Sequence, residues 1–227
     1  MAARMAVTVT ALALARLRAD ILAARLAPGT GLPLKVLQHR YAVGLTPLRE
    51  ALTVLSGSGL VVTEGNGRGF RVAPASRADF EDVALSRRRL EGMAMRLSIT
   101  AGGHPWRQQV ETTRADLAAV RALVGEDRPI DEEWEERHRR FHFALISACG
   151  SPALLDFCRQ LFDRFDRYRR IAIPIKSMMA DVGTDHDGIM LAALRGDEED
   201  AVARLDRHIA ATASLVRSYY DEAEPFA

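Results

Sequence analysis

Beyond residue 79 the chain offers helices and almost nothing else. Apolar residues recur at helical spacing over about 79–101, 104–124, 131–149, 151–171, 175–195 and 198–221. Gly102-Gly103, Gly125, Gly150-Ser151-Pro152, Pro174 and Gly196-Asp197 separate these stretches. The first carries Phe80, Val83, Leu90, Ala94 and Leu97 as a stripe, and Ser76 or Asp79 can cap its start. Six helices without intervening strands can bury their apolar faces only against one another. This predicts an all-α antiparallel bundle over 79–222. Abundant Ala, Leu and Arg, with only 6% aromatic residues, agrees with a mainly α fold.

The first third reads differently. Residues 9–26 hold a stripe of Leu14, Leu17, Ile21, Leu22 and Leu26, closed by Pro28-Gly29. A short helix over 34–41 is followed by a turn at Val43-Gly44-Leu45. Thr46-Pro47 then opens a helix reaching about Ser58. Two helices joined by so short a turn form a helix-turn-helix pattern. Leu60–Thr63 and Phe70–Val72 are β-prone runs around a glycine-rich tip that holds Arg68, which predicts a β-hairpin wing. The expected amino-terminal domain is a winged helix-turn-helix over 9–75, joined to the bundle by the linker Ala73-Pro-Ala-Ser76.

Charge divides at the same place. Residues 1–76 carry nine Lys and Arg against three acids, a surplus of six positive charges, whereas the remainder has 22 basic and 27 acidic residues. A cationic module of this pattern points to a polyanion, double-stranded DNA. Arg49 in the second helix can donate to a guanine or a phosphate. Thr46 can hold a phosphate oxygen, and Arg68 can enter a minor groove. The bland alternative pairs Arg49 with Glu50 and leaves the hairpin as a cap on the helices. Two cysteines, Cys149 and Cys158, in no metal or disulfide spacing, suit a reducing cytoplasm. Arg4 and Arg16 interrupt the apolar amino terminus, so neither a signal peptide nor a membrane span is expected.

Histidines give the bundle its chemistry. His138 and His142 are one turn apart on one helical face, and His186 and His208 fall in two later helical stretches. Two imidazoles at this spacing can share one ion, and neutral imidazole suits zinc, nickel or copper. Taken singly, each is as well read as a satisfied core residue. A metal-dependent hydrolase or lyase is the rival reading, with Glu135 the only acid placed to serve as base. An architectural DNA-binding protein would need no such cluster. His39 and His104 read as surface and loop residues, and Arg164, Arg167, Arg169 and Arg170 as a solvated or snorkelling face.

Leu26-Ala-Pro-Gly-Thr-Gly-Leu-Pro33, Val43-Gly-Leu-Thr-Pro-Leu-Arg-Glu-Ala-Leu52, Gly59-Leu-Val61 and Gly67-Arg-Gly-Phe-Arg-Val72 resemble the GntR family of bacterial transcription regulators. That resemblance implies a winged helix binding an operator as a homodimer. It places Lys35, Thr46, Arg49, Gly67 and Arg68 at DNA-contact positions. Gly44 and Leu45 depart from the Ser-Arg usual there, which removes a side-chain cap and one arginine contact, so operator preference should differ from the family norm or binding should be weaker. Arg87-Arg-Arg-Leu-Glu91, Phe141-His142, Ala148-Cys-Gly-Ser151, Asp185-His186 and Ala193-Leu-Arg-Gly-Asp197 with His208 resemble the FCD ligand-binding domain of the FadR-type branch. Its metal-binding members use three histidines, here His142, His186 and His208, and a carboxylate whose position His138 occupies. The implied cofactor is a divalent transition metal, zinc or nickel. Such a site would attract a small carboxylate effector, its other end clamped by Arg87 or Arg88.

Overall fold

The computed structural model describes residues 8–65, 69–120, 132–172 and 186–222. The chain divides between Arg77 and Ala78 into two compact units.

In the first unit, α1 (Val9–Leu22), α2 (Leu34–Tyr41) and α3 (Leu45–Gly57) precede the antiparallel strands β1 (Val61–Glu64) and β2 (Gly69–Val72). Val61 pairs with Val72 and Glu64 with Gly69. Thr8 caps α1, its Oγ1 accepting from the Ala11 amide at 3.1 Å. The helices form because Ala13, Leu17 and Ile21 on α1 meet Leu48, Leu52 and Leu55 on α3, all at most 1% exposed. Burying an aliphatic side chain of this size contributes about 1.5–3 kcal/mol. α1 is shorter than its apolar stripe predicts. Ala24 turns left-handed at φ 54°, and the Leu26 amide closes back on the Asp20 carbonyl at 3.1 Å. Leu26 still reaches the core, but from the following loop, whose Gly29 and Leu32 amides bond the carbonyls of Val72 and Phe70. Asp20 ties this corner: it accepts from Arg25, from Arg40 and from the Tyr41 hydroxyl, at 2.6–2.7 Å. Burial pushes its carboxyl upward, but the bonds from Tyr41 and Arg25 and the charge of Arg40 hold it below the usual range.

The second unit contains α4 (Arg77–Ala101), α5 (His104–Ala119), α6 (Glu132–Ile146), α7 (Pro152–Ala172), α8 (residues 186–195) and α9 (Glu198–Glu222). α5 packs on α6, and α7 on α9. α9 buries Ala201, Leu205, Ile209 and Ala213, one residue per turn. Ser151 Oγ caps α7 through the Leu154 amide, and Asp197 caps α9 through the Asp200 amide. Helix α5 ends at Ala119, short of the expected 124; 121–131 and the 175–185 part of the expected fifth helix lie outside the described residues. His104 opens α5 with Pro105 in its first turn, so it is helical rather than in a loop.

The arginines of α7 correct the sequence reading most sharply. Arg167 and Arg169 are 1% and 4% exposed, not solvated. Arg169 donates to Asp166 on its own helix and to Glu135 on α6, and Arg170 reaches Asp166 at 2.7 Å. Arg164 pairs with Asp79 on α4. For Arg164, Arg169 and Arg170 these acids supply what water would have supplied, and that permits burial.

Gly102 marks the tightest approach. A Cβ there would lie 2.2 Å from Trp106 Cε3 and 2.5 Å from the Ser98 carbonyl oxygen. Trp106 cannot yield easily, because its indole N–H donates to the Ala144 carbonyl at 2.9 Å. Gly102→Ala should therefore destabilise the bundle by about 2–3 kcal/mol. Urea denaturation followed by tryptophan fluorescence checks this, and an unchanged midpoint contradicts the packing described.

Candidate metal centre and nucleic-acid interface

The turn between α2 and α3 sets which face of α3 meets solvent. Ala42 is left-handed at φ 52°, Val43 is buried, and Gly44 is extended with no side-chain cap on the helix it precedes. Leu48, Ala51, Leu52 and Leu55 then point inward. Leu45, Thr46, Arg49, Glu50, Thr53 and Val54 line the outer side. Thr46 and Arg49 are exposed, as is Lys35 on α2. Arg49 does not pair with Glu50, whose carboxylate accepts instead from Thr10 Oγ1 at 2.9 Å; among the described residues Arg49 has no ion pair. Gly67 and Arg68 lie outside the described residues, but the two strands that lead to them are in place.

In the second unit, four histidines converge. His138 and His142 come from the inner face of α6, His186 from α8 and His208 from α9, and all four are 6% exposed or less. One nitrogen from each lies within 4.8 Å of the others. The Nε2 atoms of His138 and His142 are 3.1 Å apart, a separation that two ligands of one ion would share. Trp134 stacks on His138 at 4.6 Å and 13°. Burial, then the neighbouring imidazoles and Arg169 for His138, holds His138 and His142 well below the ordinary histidine range. His186 is depressed by burial, His208 and Arg114, and His208 by burial, Arg87 and Arg169 to about 4. All four are therefore neutral at pH 7, the form that donates a lone pair to a metal. Among the described residues His138 Nδ1, His142 Nδ1 and His186 Nε2 have no hydrogen-bond partner. Orphaned nitrogens on converging neutral rings fit a divalent transition metal, with borderline ions such as zinc and nickel suited to an all-nitrogen set.

The arginines flanking this centre separate into two roles. Arg87 is buried, donates to Glu91 at 2.6 Å and lies over the Phe162 ring at 4.3 Å. With Trp134, His138, Phe162, Arg169 and His208 it lines a cavity that leaves only about 20 Å³ open, room for one or two waters. Arg88 points elsewhere, paired through two bonds of 2.7 Å to a part-exposed Asp206. Trp134, one turn before His138, was readable from helical spacing. Arg169 was not, because its burial depends on Glu135 from another helix. That contact also ties up Glu135 Oε2, and burial raises the Glu135 carboxyl.

Protonation should expose this arrangement. In the unfolded chain each histidine titrates near 6.5. In the folded, metal-free chain it stays neutral to much lower pH, so the unfolded state binds more protons and stability falls with pH. His208 alone should contribute a loss of about 2 kcal/mol between pH 7 and pH 5. Urea unfolding of metal-free protein at the two values checks it; equal midpoints would mean the imidazoles are solvated.

Residues 11–72 match the bacterial regulatory proteins of the gntR family, and residues 82–211 match the FCD domain. The chain is 36% identical over 206 residues to the uncharacterized HTH-type transcriptional regulator BphR of Paraburkholderia xenovorans, covering 90% of this chain and 83% of that protein. It is 34% identical over 197 residues to the HTH-type transcriptional repressor GlaR of Escherichia coli, covering 85% and 89%. Its fold is similar to that of E. coli McbR/YncC, with a TM-score of 0.78 and 20% identity over 94% of this chain and 99% of that one. It is also similar to a putative transcriptional regulator GntR from Rhodococcus sp. RHA1, with a TM-score of 0.72 and 20% identity over 92% and 97%. These relatives are regulators, not enzymes, and none of the described helices is long and apolar enough to cross a membrane. An outward-facing helix in a winged fold, followed by a histidine-centred helical bundle, is thus explained by descent: the chain belongs to the GntR family of bacterial transcription regulators and carries an FCD domain.

Proposed function

We propose that the protein is a repressor that grips a palindromic operator as a homodimer and changes its grip when a small carboxylate enters the bundle. The observation that carries this reading is the convergence of four buried, neutral imidazoles in a chain whose α3 presents Thr46 and Arg49 outward. On DNA, Arg49 reads a guanine or clamps a phosphate, Lys35 and Thr46 fix register on the backbone, and the wing residue Arg68, beside Gly67, enters the minor groove. A second copy is met through the outer face of α4. Leu85, Met93 and Leu97 are 51%, 53% and 42% exposed there, beside cationic Arg89 and Arg96 and anionic Glu199, a self-complementary set.

His138, His142, His186 and His208 would hold the metal, and a bound divalent ion would supply a positive centre for a carboxylate. Arg87 is the residue that clamps the far end. It faces the cavity, whereas Arg88 is engaged with Asp206. Entry requires Arg87 to exchange Glu91 for the incoming acid, because the cavity is too small for one as it stands. The effector acts only if it binds one arrangement of α4 better than another.

Fluorescence anisotropy on a duplex from the gene's own upstream region tests the DNA arm. Affinity should fall steeply with salt, and Arg49→Ala should weaken binding by about 5- to 150-fold. Salt-insensitive binding would count against the interface. Elemental analysis with native mass spectrometry tests the bundle. The wild type should carry about one zinc or nickel per chain as a dimer, and His142→Ala should lose the metal while keeping its helical circular dichroism. Metal content unchanged in that variant removes the centre from the proposal.

A further inference from the structure

The geometry points to Leu45 as a base-reading residue: we infer that it selects thymine, through the thymine methyl group, at the operator base pair nearest the amino end of α3. This rests on the DNA-binding role of α3 and says which base the helix prefers.

Leu45 continues the phase of the buried stripe, lying three residues before Leu48, yet the core ends at Leu48. Leu48 is 0% exposed and Leu45 is 45% exposed. The turn through left-handed Ala42 and extended Gly44 delivers Leu45 as the first residue of the helix. It adjoins Arg49 at i, i+4 spacing and shares the outer side with Thr46. The amino-terminal residues of a recognition helix are the ones that reach base edges. Val54 is also exposed, but nine residues further on it sits about 13 Å along the axis, too far to read the same step.

A leucine side chain has no donor or acceptor. Seated against guanine it would desolvate O6 and N7 and return no hydrogen bond. Against thymine it meets the one apolar group that the major groove displays. Both partners are then removed from water, and Arg49 remains free to satisfy the polar edge of the neighbouring pair.

The test starts from duplexes that the full-length protein enriches from a random-sequence library. Each thymine of an enriched duplex is replaced singly by deoxyuridine, which deletes only the methyl, and affinity is read by anisotropy. At one thymine in each half-site, the wild type should lose about fourfold on methyl removal. Leu45→Ala should bind more weakly and be indifferent to that methyl. Leu45→Arg, repeated through the selection, should replace that A·T pair with G·C. Circular dichroism confirms that both variants keep their helices. If no duplex is enriched at all, both the DNA-binding reading and this inference fall. If duplexes are enriched but no methyl distinguishes wild type from Leu45→Ala, or Leu45→Arg selects the same pair, only the assignment of Leu45 is overturned.

Discussion

The interior of the helical bundle is mostly apolar but encloses a cluster of charged and polar groups, and its stability depends on how those groups answer one another. Arg87, Glu91, Glu135, Asp163, Asp166, Arg167 and Arg169 are all 7% exposed or less, in the same unit as four buried histidines. Breaking one such buried pair by removing a partner costs about 3–5 kcal/mol. Arg169 is therefore the pivot: it satisfies Asp166 and Glu135 together and so fastens α7 to α6 beside His138. The positive charge it brings also helps to keep His138 and His142 neutral. An apolar interior of the same size would be easier to stabilise, but it would offer nothing to an ion or an acid.

The amino-terminal unit shows the opposite economy. Its core is aliphatic, from Ala13 on α1 to Val72 on β2, and its charges stay at the rim. Rigidity there is useful because a recognition helix must present fixed side chains to base edges. Asp20, gathering Arg25, Arg40 and Tyr41, is the main polar knot and lies at the corner where α1 gives way to the loop under β2. The two units thus differ in their interiors: an aliphatic core behind the helix that presents Thr46 and Arg49, and a core with buried charges around four converging histidines.

Local signals were legible where local physics decides. The apolar stripes placed α4, α6, α7 and α9 closely, and the Gly and Pro punctuation marked their ends. The i, i+4 spacing of His138 and His142 placed both rings on one face before any tertiary contact was known. Signals failed where a remote partner decides. Leu26 sits on the stripe of α1 but outside its helix, because loop residues 29–32 must turn to bond β2. Arg169 looks solvated in any window of α7, and only its packed neighbours Glu135 and Asp166 make its burial tolerable.

The sequence by itself determined that a cationic winged helix precedes an acidic all-helical body, since hydrophobic periodicity, turn residues and charge are written locally. It also named the four histidines. Only the tertiary structure decided that these converge within 4.8 Å of one another, that Arg87 rather than Arg88 lines the cavity beside His138 and His208, and that Leu45 stands out of the core. Those outcomes depend on which helix covers which face, and side chains far apart in the chain settle that through burial and charge compensation.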